Sequence, residues 1–573
     1  MADEQGRFLF RDVSPGAYSL MASQLGYVAG EYGKHWPSGS GDIFSQVRRT
    51  LEVADGEQIR DVTIRMWRRG EISGRVLDER GDPVVGMKVI GLTVTSAAGR
   101  RVYSFDTAEC GGAPCLTSTT DDRGMYRLSV IPGEYVVALP AVTATRLLPA
   151  ASDAAGRVPE PPSDRTSTIS TLAWTGGSSG ASSAGILVGD ARFALSVGSA
   201  TSPGIASLTD AGELFVYESQ FLRGARRLAE AAIIAVGSGE EIANADFVLR
   251  PVRATRMSGV LTGPDGPAGG IALRLVPGGQ DVLLQEADNA ITMSDADGRF
   301  TFLGVAPGPY VIRVLNRPRQ SANLALLSNP AARPPASPPL QWAGTPVTVG
   351  ETPLDGVSVT LRTAARVSGR VVFDGAAPRP ERLSSIQIDG AHGRDDQTVA
   401  WARVRSDSTF ESDGHLPGRY YVRTTAPPGW TLVSAMWNSR DLSDVPVDLD
   451  ADDVTGVVVT FTDRPAGAIA VVATTPDGQP ASSAMVIVFP ADRARWIDFG
   501  EQPRRLRAAG TDRRGRVVVS DLPDGEYLVA AVPGETPIHW RDAAALAELA
   551  PLAARVRLAG GGTQTATLTV RPR

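Results

Sequence analysis

The chain has 573 residues, 42% of them hydrophobic, with 61 glycines and 41 prolines, so it holds several domains built from short strands and many turns. Basic and acidic side chains nearly balance at 57 to 63, and Lys34 and Lys88 are the only lysines. With no basic stripe and no apolar run near the roughly eighteen residues of a membrane span, nucleic acid and a membrane-spanning segment are excluded as expectations.

In chain order, the first element is a block that recurs. It opens the chain as GRFLFRDVSPGAYSL from Gly6 and returns as DDRGMYRLSVIPGEYVVAL from Asp121 and DADGRFTFLGVAPGPYVIRV from Asp295. Two worn copies follow, STFESDGHLPGRYYVRT from Ser408 and DRRGRVVVSDLPDGEYLVA from Asp512. A leading Asp-x-x-Gly supplies a hairpin turn, because Gly accepts positive φ and Asp bonds the backbone two residues on. Alternating apolar residues such as Phe300 and Phe302 predict a half-buried strand, Pro307-Gly308 a turn, and Tyr310, Ile312 and Val314 a second strand. A tyrosine stands two residues after a glycine in every copy: Tyr18, Tyr135, Tyr310, Tyr420 and Tyr527. These five are expected to be structural, with the ring in the core and the hydroxyl on a backbone acceptor.

Between the blocks lies a second signature, an alternating strand, a short joint and a second strand such as SGRV, as from Gly56, Gly239 and Gly350. It closes one unit and opens the next, which divides the chain into five. Residues 1–68 form a partial β-sandwich without its N-terminal half. Residues 69–252 form a sandwich carrying a Ser/Gly-rich insertion at 141–212. Three more sandwiches span 253–365, 366–465 and 466–573, the last with a short helix near 540–550. The first unit lacks an SGRV-type strand, which the others place roughly forty to fifty residues before the block. A truncated start, which would have removed any signal peptide, is the expectation there.

The elements ISGRVLDERGDPVVGMKV from Ile72 and TTDDRGMYRLSVIPGEYVVAL from Thr119 resemble carboxypeptidase regulatory-like domains. The resemblance implies an all-β chain, a tandem array of Greek-key β-sandwiches of the prealbumin-like or immunoglobulin-like kind, grouped with carbohydrate-binding-like folds. Proteins of this pattern are similar to long secreted or envelope proteins of bacteria. Two departures stand out: the last unit lacks the SGRV glycine, and Ser408 replaces the hairpin glycine of the fourth.

The chemistry of a metallocarboxypeptidase needs His and Glu three apart plus a distant His. None of His35, His392, His415 and His539 is followed by Glu at that spacing, so neither catalytic nor metal residues are expected, nor a cofactor. GGSSG at Gly176–Gly180 matches a nucleophile elbow around Ser178, but it lies in a Ser/Gly-rich loop and not between a strand and a helix. The Asp-x-x-Gly sequences read as turns in place of calcium loops, and the acidic run Asp441–Asp453 as a solvated strand end. Cys110 and Cys115, the only cysteines, flank a flexible Gly/Pro tip. A local disulfide is the first reading, implying an oxidising compartment, and two free thiols are the alternative. Trp430 and Trp540 share loop-like sequence with Trp36, Trp174 and Trp342, and the last three are the candidates for stacking on sugar rings.

The expected function is therefore a non-catalytic scaffold of the cell envelope or exterior, a spacer or adhesive, with polysaccharide or cell-surface components as partners. A carbohydrate-binding array is the second reading. An accessory region of an enzyme whose catalytic domain lies outside the chain is the third.

Overall fold

The computed structural model describes residues 2–34, 37, 51–97, 100–104, 116–140, 143–148, 186–188, 191–197, 206–208, 213–278, 290–316, 340–380, 386–390, 400–412, 414–450, 452–482, 484–500, 503–534 and 540–571. The chain is all-β. Four of its parts repeat one plan, three core strands packed on four, and in all but the last further strands widen or join these sheets.

At the centre of each smaller sheet lies an opening strand: Gly70–Leu77, Val252–Gly263, Val367–Asp374 or Gly467–Thr474. The first strand of the repeated block runs antiparallel along one side, at Met125–Val130, Arg299–Val305, Thr409–Glu411 or Arg516–Leu522. A closing strand runs parallel along the other, and a parallel neighbour requires the chain to cross between the sheets before it returns. The second strand of the block lies inside the four-stranded sheet, as Gly308–Asn316 does between Ala272–Pro277 and Gln341–Val349. In the fourth sandwich the two sheets are joined edge to edge, because Ala400–Val404 pairs with both Ile386–Gly390 and Thr409–Glu411.

Alternation builds the cores. Along Gly70–Leu77, Ile72 and Val76 are fully buried while Arg75 is exposed. Each buried side chain of this size stabilises its sandwich by about 1.5–3 kcal/mol. The SGRV glycine has a separate reason. A Cβ on Gly259 would overlap the Val357 carbonyl oxygen and lie 2.7 Å from Phe300 Cζ, and Gly74 and Gly369 face the Ala245 and Val457 carbonyls in the same way. The glycine lets the closing strand and an aromatic ring approach together. Gly259→Ala should therefore destabilise the third sandwich by about 3 kcal/mol, the upper range for overpacking, read as a lowered unfolding midpoint.

The turn carboxylates are spent on their own backbone. Asp295 Oδ1 accepts from the amides of Asp297 and Arg299 at 3.0 and 2.7 Å, and Asp121 and Asp512 do the same in their copies. Ser408 takes the left-handed conformation (φ 66°) that Gly298 holds in the third copy.

The last sandwich departs from simple alternation. Ala484–Pro490 is buried along its whole length, because its four-stranded sheet is covered on both faces. Val486 and Val488 face the smaller sheet, while Met485, Ile487 and Phe489 pack under Trp496, Trp540 and Leu546. The helix Ala543–Leu549 is part of that second cover; Asp542 caps it, and Pro551 lies in the 3-10 turn that ends it.

The described strands of the insertion expected at 141–212 join the third sandwich. The strand Thr143–Leu148 pairs with Ala191–Val197 and then parallel with Ala290–Met293, so it extends the four-stranded sheet of the third sandwich. Buried Thr145 accepts the Leu303 amide at 2.9 Å. Ala206–Leu208 pairs with Leu214–Val216, which pairs with the third opening strand.

The first unit differs. It holds three short strand pairs, and among its described residues only Val28 and Leu51 are buried hydrophobics.

Candidate functional site

The strand Gly418–Arg423 carries the residues that lead to the site. Its period of two sends Tyr420 and Val422 into the core of the fourth sandwich and Arg419, Tyr421 and Arg423 to the opposite face. That face meets residues 490–499 and 503–506 of the last sandwich across a cleft of roughly 330 Å³.

Asp444 is the centre of the joint, with its side chain 7% exposed. Its Oδ2 lies 2.6 Å from Arg505 Nε and 3.3 Å from Arg495 Nη1, and Oδ1 lies 3.6 Å from Arg504 Nη1. Burial pushes the Asp444 carboxyl up, but Arg504, Arg505 and Arg495 outweigh it and hold it below the ordinary carboxylate range. Arg504 also donates to Ser443 Oγ and, at 2.7 Å, to the Leu432 carbonyl. From the other side Arg419 donates to Asp498 Oδ2 at 2.7 Å, and Tyr421 donates to the Asp498 carbonyl. The Arg423 guanidinium stacks 4.0 Å above the Tyr421 ring and donates to the Phe499 carbonyl at 2.9 Å. Charged groups buried in this way need partners, and here each is supplied across the joint. The arrangement clamps two sandwiches; it places no nucleophile beside a general base.

The clamp reaches the repeated tyrosines. Each donates its hydroxyl to the carbonyl four residues earlier: Tyr18 to Ser14, Tyr135 to Ile131, Tyr310 to Ala306, Tyr420 to Leu416 and Tyr527 to Pro523, at 2.6–2.9 Å. Tyr135, Tyr310, Tyr420 and Tyr527 are buried and Tyr18 is half-buried. Tyr527 also accepts from Arg505 at 3.2 Å, and burial, opposed by Arg505, pushes its hydroxyl up to about 12.

His415 is buried beside Tyr420, with ring centroids 5.1 Å apart and Nε2 3.0 Å from Ser412 Oγ. Burial pulls its imidazole down to about 4. The unfolded chain then binds a proton that the folded one refuses, so stability is full above about 6.5 and is lost as pH falls toward 4. Amide protection of 418–423 should drop between pH 7 and 5, and His415→Gln should flatten that dependence even while it lowers stability at pH 7.

Cys110, Cys115, Trp36, Trp174, Ser178, His35, His392 and His539 lie outside the described residues. Trp342 lies on the strand Gln341–Val349 and not in a loop; it is half-buried, between cross-strand neighbours Leu315 and Arg362. Trp430 and Trp540, with their loop-like sequence, are 7% exposed and belong to cores. The run Asp441–Asp453 is not a solvated strand end at its start: Asp441 Oδ1 accepts from the Ala435 and Ser443 amides, and Asp444 is the centre of the clamp. Its partners Arg504 and Arg505 lie in PRRLR at 503–507, and nothing in the sequence shows that the two segments face each other. Among the described residues no group of three His, Cys, Asp or Glu side chains is placed to hold a metal, and no helix is long and apolar enough to cross a membrane.

No family model matches the chain, and no curated protein matches it. Among solved structures, the major pilin subunit of Bacillus cereus is 10% identical over 55% of this chain and 99% of its own, with a TM-score of 0.15. A streptococcal ancillary pilin is 10% identical over 56% of this chain and 100% of its own (TM-score 0.18). The full-length RrgB pilus protein of Streptococcus pneumoniae is 8% identical over 81% of this chain and 90% of its own (TM-score 0.14).

Proposed function

We propose that the chain is a non-catalytic scaffold of tandem β-sandwiches, a spacer or adhesive of the bacterial envelope or exterior. The observation that carries this reading is the repeated use of reactive side chains as structure. Five tyrosines latch the carbonyl four residues back, turn aspartates bond their own backbone, and the cluster of Asp444 with three arginines locks two sandwiches together. We assign units at 1–68, 69–252, 253–365, 366–465 and 466–573. The resemblance of the SGRV and PG-x-Y elements to carboxypeptidase regulatory-like domains supports the same reading, as does the envelope or secreted setting of proteins with that pattern. Labelling intact cells that make the protein from its own gene with a membrane-impermeant amine or carboxyl reagent tests it. Labelling without lysis supports the reading, and labelling only after lysis overturns the location.

Trp342 favours a second reading, polysaccharide binding, because its half-buried ring lies on a sheet next to Gly344, which adds no side chain over it. Retention on a glycan array that is lost in Trp342→Ala would establish it, and no retention of the full chain would remove it.

A further inference from the structure

The cleft between the fourth and last sandwiches carries a charge opposite to that of the chain. Five arginines line it against three aspartates, Asp444, Asp492 and Asp498, whereas the protein as a whole has a net charge of -6. The clamp engages most of these groups but leaves donors on both walls. Arg419, on the strand Gly418–Arg423, donates through Nη1 to Asp498 and lies 3.4 Å from Asp448 through Nε. Arg495, on the 3-10 turn Arg493–Trp496, lies 3.3 Å from Asp444 through Nη1 and 3.5 Å from Asp492 through Nε. Among the described residues the Nη2 groups of both arginines have no partner. Their side chains are 39% and 37% exposed, so both remain within reach of a molecule arriving from solvent.

Two further features define what fits between them. Ile497 lines the same cleft and is 49% exposed, a large apolar side chain beside the charges. Asp492 accepts the Ala494 amide on Oδ1, while Oδ2 has Arg495 as its one partner among the described residues, and the side chain is 61% exposed. An occupant therefore meets forked donors that match a carboxylate, an acceptor for hydroxyl groups and an apolar surface for C–H groups. At roughly 330 Å³ the space stands at the lower end of small-ligand pockets, about 300–1,000 Å³.

We propose that this cleft binds a uronic-acid unit of an acidic polysaccharide, its carboxylate on Arg419 and Arg495, its hydroxyls on Asp492 and its C–H face on Ile497. This rests on the adhesive part of the function proposed above and gives it a ligand class. The aspartates select among anions. A heavily sulfated or phosphorylated chain would bring like charge against Asp492 and Asp498, whereas a uronate offers a single charge and several hydroxyl donors. Each sandwich supplies one of the two arginines, so the sugar bridges them and its binding tightens the joint that Asp444 holds.

The test uses the full chain and a fluorescent trimer of galacturonic acid, followed by anisotropy. Saturable binding is expected, at least tenfold tighter than that of the neutral galactose trimer. Arg495→Gln, at a half-exposed position of the clamp, should weaken binding at least tenfold, and so should Ile497→Asp. Arg227→Gln, at an exposed arginine of the second sandwich, should bind as the parent does. Hydrogen exchange should slow on both walls at once, at 418–423 and 493–499. Absence of saturable binding, equal binding of the neutral trimer, undiminished binding by Arg495→Gln or a matching loss in Arg227→Gln overturns the proposal. Equal or tighter binding of a sulfated trimer overturns the choice of uronate, and protection of one wall alone overturns the bridge. Binding is read on the purified chain, so its failure leaves the envelope location standing, and cell labelling only after lysis leaves the binding result standing.

Discussion

Asp444→Asn should uncouple the last two sandwiches. The substitution keeps the shape and removes the charge that three arginines share, and taking one partner from a buried ionic cluster costs about 3–5 kcal/mol. The lower end applies, because Arg495 is 37% exposed and water screens it, while Arg504 and Arg505 are 14% and 19% exposed. In calorimetry the transition containing residues 367–569 should move down and broaden or divide, as each sandwich melts on its own core. Arg495→Ala should cost under about 1 kcal/mol, the usual value for an exposed pair. Acid should reproduce the effect. The Asp444 carboxyl is held below its ordinary value, so its contribution is present above the usual carboxylate range and disappears as pH falls through the depressed one. An unchanged calorimetric profile for Asp444→Asn would show that the joint is held by other contacts.

Tyr310→Ala should cost the third sandwich about 3–5 kcal/mol, since a packed aromatic ring is lost from a core that includes Phe302, Ile312 and Leu275. Tyr310→Phe should cost about 0.5–1.5 kcal/mol, the value of the hydrogen bond to the Ala306 carbonyl. The effect should spread in one direction. Hydrogen exchange at 143–148 should accelerate with the third sandwich, because that strand is part of its sheet, while 484–490 should keep its protection. Unaltered exchange at 308–316 in Tyr310→Ala would make the tyrosine dispensable to the core.

What was legible in the sequence was what is local. The Asp-x-x-Gly turn, the alternation in RFTF and YVIRV, and the SGRV strand each follow from a few neighbouring residues, and together they fix the all-β tandem plan. Other features depend on which distant segments meet. The strands of the insertion alternate like any others, and alternation does not name the edge to which they add; they pair with the third sandwich. Asp444 stands in an acidic run that would be solvated by itself, and only the fold brings Arg495, Arg504 and Arg505 against it. Trp430 lies beside Pro and Gly as a loop residue would, yet it donates to the Pro378 carbonyl and fills a core. Composition near a residue reports its backbone more faithfully than its burial.

The most direct test of the account is to pull the chain from its ends and record force against extension. Sandwiches that each close their own core should yield one after another, the last three, of about a hundred residues each, releasing ~350 Å of chain apiece. A single event that releases the full contour length, or extension without any resolved event, would contradict the view that this protein is a series of self-closing sandwiches.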